Sequence, residues 1–93
     1  MEKKDVVHKY NFILNKYKEL FYNSLLKKYS PEALKNMNLT DYIFKVSELY
    51  PNEKKAFNIL RHLYIDSNDD LAIRTYDLMN LYDYMKGVVD NDN

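Results

Sequence analysis

Cysteine is absent from this 93-residue chain, and with it any disulfide framework or thiolate metal site. That absence fits a reducing compartment, and the expected location is cytoplasmic. Glycine occurs once, at Gly87, and proline twice, at Pro31 and Pro51. A lone glycine at position 87 excludes a glycine-rich loop of the kind that cradles phosphates. So few turn formers leave the chain few places to reverse direction. No stretch approaches the ~20 apolar residues of a membrane span. The opening Met-Glu-Lys-Lys-Asp-Val-Val-His lacks the apolar run of a signal peptide, so a soluble protein is expected. There is no internal repeat, linker or strand-like alternation.

What is present is helical and unevenly charged. Apolar residues make up 46% of the chain, too many for a disordered composition. The formal net charge is zero, yet residues 1–29 hold seven lysines against three acids, and residues 66–93 hold seven aspartates against Arg74 and Lys86. Such an asymmetry orients helices within one chain, between two copies, or toward a partner. Twelve lysines, eleven asparagines and ten tyrosines are a set whose codons are rich in A and T. The source expected from that bias is an AT-rich genome: a low-GC bacterium, its phages or plasmids, or an AT-rich virus. Tyrosine also buries a large ring while keeping a polar tip, which suits small cores and binding surfaces alike.

From Lys4 to Tyr29, Val6, Val7, Tyr10, Ile13, Leu14, Tyr17, Leu20, Phe21 and Leu25 recur at three- and four-residue steps. This predicts one long amphipathic helix spanning the domain. Ser30-Pro31-Glu32 reads as an N-cap followed by proline at the first helical position, opening a short turn of helix to Asn36. A helix capped by Thr40 should run to Tyr50, where Pro51 forces a break. Asn52 to Ile65 should form the next helix, facing inward with Ala56, Phe57, Leu60, Leu63 and Tyr64. The last helix is predicted from Asp69 to Lys86, with Gly87 as a left-handed C-cap. Asp69 and Asp70 would sit in its first turn, where the helix dipole favours them. Together these predict an all-α fold: a compact bundle of four or five helices with a long N-terminal helix. Residues 1–87 would form a single helical domain and residues 88–93 a disordered acidic tail.

Two helices carry more apolar surface than one small core needs. On the first, Phe12, Tyr22, Leu26 and Tyr29 lie roughly opposite the main stripe. On the last, Leu71, Leu78, Leu81, Tyr82 and Met85 make one face and Ala72, Tyr76 and Met79 an adjacent one, with Ile73 and Tyr84 projecting away from both. For the last helix, a central place in the bundle is the favoured explanation. The strip on the first helix reads as a contact face for a partner or a second copy. The candidate interface is therefore Phe12, Tyr22, Leu26 and Tyr29 with Lys9 and Lys16.

No residue set names a reaction. His8 and His62 have no Ser or Cys nucleophile to complete a triad and no helical metal-ligand spacing. No catalytic site or cofactor is expected, and an enzyme is disfavoured. Counted from Asp66, the residues Asp66, Asn68, Asp70 and Asp77 fall on positions one, three, five and twelve of a twelve-residue loop, with Ile73 at the apolar position eight. This spacing resembles an EF-hand loop and would imply a calcium site. The pattern departs from that family at Leu71, where the sharp turn takes glycine, and at Asp77, where a longer glutamate chelates. An Asp- and Asn-rich helix cap is the preferred explanation, and no metal is expected.

Nucleic-acid binding is the competing class. If the last two helices formed a helix-turn-helix, the recognition helix would carry Asp69, Asp70, Asp77 and Asp83 toward phosphates, which is repulsive. The first helix, with Lys9, Lys16 and Lys27 beside tyrosines, is the better candidate. Arginine is scarce, however, and the pI is about 6.7. The favoured function is a small non-enzymatic interaction protein that docks on and modulates another protein, such as a phage- or plasmid-encoded inhibitor or immunity protein. A homodimer is compatible with the second apolar face. The alternative is a small nucleic-acid-binding transcriptional regulator, dimeric in form.

Overall fold

The long amphipathic stretch becomes helix α1 (Glu2–Leu25), 24 residues that give the molecule its length. At 1.5 Å per residue it spans about 36 Å, close to the longest extent of a 41 × 28 × 22 Å body. The computed structural model describes residues 2–91, and among them there is no strand. Ile13, Tyr17, Leu20, Phe21 and Leu25 form its buried stripe, as the spacing predicts. The helix ends four residues before Tyr29. Lys28 and Tyr29 both donate their N–H to the Leu25 carbonyl, tightening residues 26–29 into a turn that delivers the chain to Ser30.

Helix α2 (Pro31–Lys35) starts as predicted: Ser30 is extended and its side chain accepts the Ala33 N–H at 3.2 Å. Its one buried residue, Leu34, pins the segment to the core, and Tyr42 donates to the Leu34 carbonyl at 3.1 Å. Helix α3 (Leu39–Leu49) starts earlier than expected. Its cap is Asn38, not Thr40. Asp41 N–H donates to Asn38 Oδ1 at 2.9 Å and Asn38 N–H donates to Asp41 Oδ2 at 3.1 Å, a reciprocal capping box. Thr40 is already inside the first turn, because Leu39 is buried and draws the helix start back with it.

After Pro51 a single 3-10 turn (Pro51–Glu53) runs into α4 (Lys54–Arg61), which buries Ala56, Phe57 and Leu60 as expected. The segment then widens into a π-helical turn (His62–Asp66) that the periodicity does not reveal. Leu63 points inward there, and its carbonyl accepts from Arg74 Nε at 3.2 Å.

Helix α5 (Leu71–Asn91) corrects the predicted ends of the last helix. Asp69 and Asp70 precede it rather than filling its first turn. Gly87 is no C-cap: its φ is not positive, and the helix passes through it. Burial of Val89 and the Lys86–Asp90 pair at 2.8 Å, one turn apart, favour continuing the helix over the left-handed exit. The acidic tail expected to be disordered is thus helical as far as Asn91; Asp92 and Asn93 lie outside the described residues.

Helices α1 and α5 run side by side in the same direction, Tyr10 beside Arg74 and Tyr17 beside Leu78. The lysine-rich α1 therefore lies along α5, which itself carries Asp77, Asp83 and Asp90 against Arg74 and Lys86. The core between them is aromatic. Tyr17 meets Phe21 at 5.8 Å and Tyr82 edge-on at 5.2 Å, and Phe21 meets Phe57 at 6.0 Å. Tyr17 is fully buried and donates its hydroxyl to the Leu78 carbonyl at 2.6 Å. Burial holds its phenol well above the ordinary value of 10.0, with Tyr82 and Asp83 adding to the shift.

Candidate docking surface

The strip predicted along α1 divides in two. Tyr22 and Tyr29 turn toward α3 and are half-buried against the core. The Tyr22 ring sits 6.4 Å from that of Tyr42, and Lys45 Nζ lies 5.8 Å from the centre of the Tyr29 ring. Leu26, between those two in sequence, stays exposed. Phe12 is 63% exposed and belongs to the other flank, facing α5. Lys16 reaches over it, with Nζ 5.3 Å from the Phe12 ring centre and 5.2 Å from that of Tyr82. Of the six predicted interface residues, the structure brings Phe12, Lys9 and Lys16 together and separates them from Tyr22, Leu26 and Tyr29.

What Phe12 joins is a groove of about 490 Å³ between α1 and α5. Val6, Lys9 and Phe12 form one wall and Ala72, Tyr76 and Met79 the other. The walls are aligned because both sets recur at helical spacing on parallel helices. Tyr76 is 67% exposed and Met79 47%. Beyond Tyr76 the outer face of α5 continues through Ile73 and Tyr84, both more than half exposed. Tyr84 is held against the 3-10 turn, its hydroxyl donating to Glu53 Oε1 and Oε2 at 2.7 and 2.6 Å. A second hollow of about 430 Å³ beside it is lined by Ile59 and Leu81. Exposed apolar side chains therefore flank α5 on both edges, Phe12 of α1 at the first groove and Ile59 of α4 at the second hollow.

The favoured central place for the last helix does not hold. Only one side of α5, with Thr75, Leu78, Met85 and Val89, is enclosed. Ala72, Tyr76, Met79, Ile73 and Tyr84 were visible in the sequence as apolar surplus, whereas Ile59 was not, because it lies off the inward stripe of its short helix. Arg74 anchors the inner side: besides the Leu63 carbonyl it donates from Nη2 to Tyr10 Oη at 3.2 Å, with its guanidinium 5.4 Å from the Tyr10 ring centre.

The loop with EF-hand-like spacing does not assemble as a ligand cage. Among the described residues no three His, Cys, Asp or Glu side chains converge where they could hold a metal ion. Asp66 closes the π turn and Ser67 Oγ accepts the Asp69 N–H at 3.1 Å. The Asp70 carbonyl accepts the Arg74 N–H at 3.0 Å. Asn68 is exposed and Asp77 lies two turns along α5. These residues shape the entry to the helix. His8 and His62 are exposed on different helical segments. No helix among the described residues is long and apolar enough to cross a membrane.

Compared with known proteins, the chain matches no family model, no curated protein and no solved structure.

Proposed function

We propose that this is a docking protein, which acts by binding another protein and altering its activity rather than by chemistry of its own. The observation that carries this reading is the outer face of α5. Ile73, Tyr76, Met79 and Tyr84 remain exposed on one helix, with Phe12 beside Tyr76 and Met79 and Ile59 beside Tyr84. Exposed apolar residues scattered singly are ordinary, but four on one helix, with further ones beside them on both neighbouring helices, support an interaction site. Tyrosine and methionine suit such a face, the one as a rigid amphipathic anchor and the other as an adaptable filler. Relative to the interface expected from sequence, the proposal keeps Phe12, Lys9 and Lys16 and moves the centre from α1 to α5.

The test is a tagged pull-down from the native host, nuclease-treated and washed at moderate salt, read by mass spectrometry. One protein should be captured in stoichiometric amount and lost when Ile59→Ser is combined with Ile73→Ser. Both side chains are about half exposed, so the fold should tolerate the change. Capture that vanishes with nuclease, and that weakens steeply with salt, would shift the function to nucleic-acid binding.

A further inference from the structure

The outer side of α5 carries charge among its apolar side chains, and that charge is of one sign. Asp83 is exposed two turns along from Tyr76, and Asp77 stands half-buried one turn along from Ile73. Asp69 and Asp70 are exposed just ahead of the helix. Both cations of α5 are engaged elsewhere. Arg74 turns inward to the Leu63 carbonyl and the Tyr10 hydroxyl. Lys86 is bound to Asp90 at 2.8 Å.

Lysines stand on either side of this strip. Lys9 and Lys16 lie on the α1 edge, around Phe12. On the α4 edge Lys55 lines the hollow that holds Ile59 and Tyr84, where Glu53 is already engaged by the Tyr84 hydroxyl. Such a pattern excludes two kinds of partner. A uniformly acidic surface is repelled by the aspartates, and a broad basic one by the flanking lysines. A single basic helix, ~10 Å across, fits the width of α5 between them. The run from Ile73 to Tyr84 gives it about 16 Å, or three turns, to lie along.

We propose that the modulated protein is held through one amphipathic basic helix lying along α5. Its apolar side chains cover Ile73, Tyr76 and Tyr84, and its lysines or arginines meet Asp77 and Asp83. This rests on the docking reading of the α5 face and names the chemistry of the partner. Apolar contact supplies most of the affinity, while the aspartates set orientation and the rate of encounter.

Amide NMR on the isotope-labelled full chain tests it. The probe is a synthetic helix of about 15 residues with leucine on one face and lysine beside it; the control carries glutamate in place of lysine. Shifts from the basic helix should concentrate at residues 73–84, and the acidic helix should give none. Asp83→Lys should weaken binding of the basic helix about fivefold, and adding Asp77→Lys should weaken it further. Glu48→Lys, exposed on α3, should leave it unchanged. All three variants should keep the helical circular dichroism of the parent. Shifts spread equally to exposed Glu32 and Glu48, an acidic helix that binds as well, or an Asp83→Lys variant as tight as the parent each overturns the proposal. The two readings also fail distinguishably in the pull-down. A host protein captured equally by the parent and by the variant with both aspartates reversed removes the basic helix and leaves docking standing. A chain that captures no protein removes the docking function, and the partner's chemistry with it.

Discussion

On α1 the apolar side chains largely go inward and the lysines outward, so one set of neighbours satisfies the helix. On α5, Leu78, Met85 and Val89 are enclosed against the bundle while Tyr76, Met79, Ile73 and Tyr84 face away from it. The two helices have similar length and are packed side by side, yet α1 leaves Val7 and Phe12 exposed among its large apolar side chains, where α5 leaves four. A helix is covered only on the sides where a neighbour lies. Here α1, α4 and the π turn all approach α5 from one side, and among the described residues Ile73, Tyr76, Met79 and Tyr84 on its other side stay exposed. An apolar stripe with no neighbour inside the chain is where a partner gains the most, because the hydrophobic contribution scales with area still open to water.

The sharpest test of this contrast compares substitutions on the two sides of α5. Leu78→Ala removes a fully buried side chain and should cost about 3 kcal/mol in urea unfolding. Tyr76→Ala, at 67% exposure, should stay within about 0.5 kcal/mol. Similar losses at both positions would mean that α5 has no free face.

Next comes the seam between the two helices. Tyr17→Phe removes the bond to the Leu78 carbonyl and should cost about 1 kcal/mol at neutral pH. The same seam sets the alkaline limit. The unfolded Tyr17 phenol releases its proton near 10.0, whereas burial keeps the folded one protonated to higher pH. Its contribution is therefore complete below pH 10 and lost as pH rises above it. Urea midpoints followed upward from pH 9 should fall more gently in Tyr17→Phe than in the parent; equal slopes would remove Tyr17 from the alkaline transition.

Helix ends give two smaller tests, one decided locally and one by packing. Asn38→Ala breaks the capping box of α3 and should cost about 1 kcal/mol, while Thr40→Ala should change stability by less than about 0.5 kcal/mol. On α5, a Cβ added at Gly87 meets nothing within 4 Å, and the residue is helical without positive φ. Gly87→Ala should therefore raise thermal stability, by about 0.5–1 kcal/mol. A destabilised Gly87→Ala would mean that the helix ends there after all.

Local chemistry was the readable part. The spacing of Ile13, Tyr17, Leu20 and Phe21, the Ser30-Pro31 start and the break at Pro51 each express a preference within a few residues, and the structure keeps them. Asn38-Leu39-Thr40-Asp41 held the true cap as well, in the Asn-x-x-Asp spacing, but two eligible residues stood two positions apart and burial of Leu39 chose between them. At Gly87 a local preference lost to packing, because the exit it favours would have taken Val89 off the core. The π turn left no periodic signal, since it shifts the register by a fraction of a turn over only five residues, His62 to Asp66. For the candidate site, Phe12, Lys9 and Lys16 were found as members of a strip, but Tyr22 and Tyr29 were read with them because a helical wheel shows angle and not neighbours.

By itself the sequence determined that this chain is all-helical, that a short helix opens at Ser30-Pro31 and a break falls at Pro51, and that the long first helix is its spine, because periodicity, caps and prolines act over one or two turns. Only the tertiary structure decided that α1 lies parallel to α5, that Phe12 faces Tyr76 and Met79 rather than Tyr22, and which side of α5 stays bare. Those outcomes depend on how many neighbours a short chain can bring to each helix, and no window of sequence contains that count.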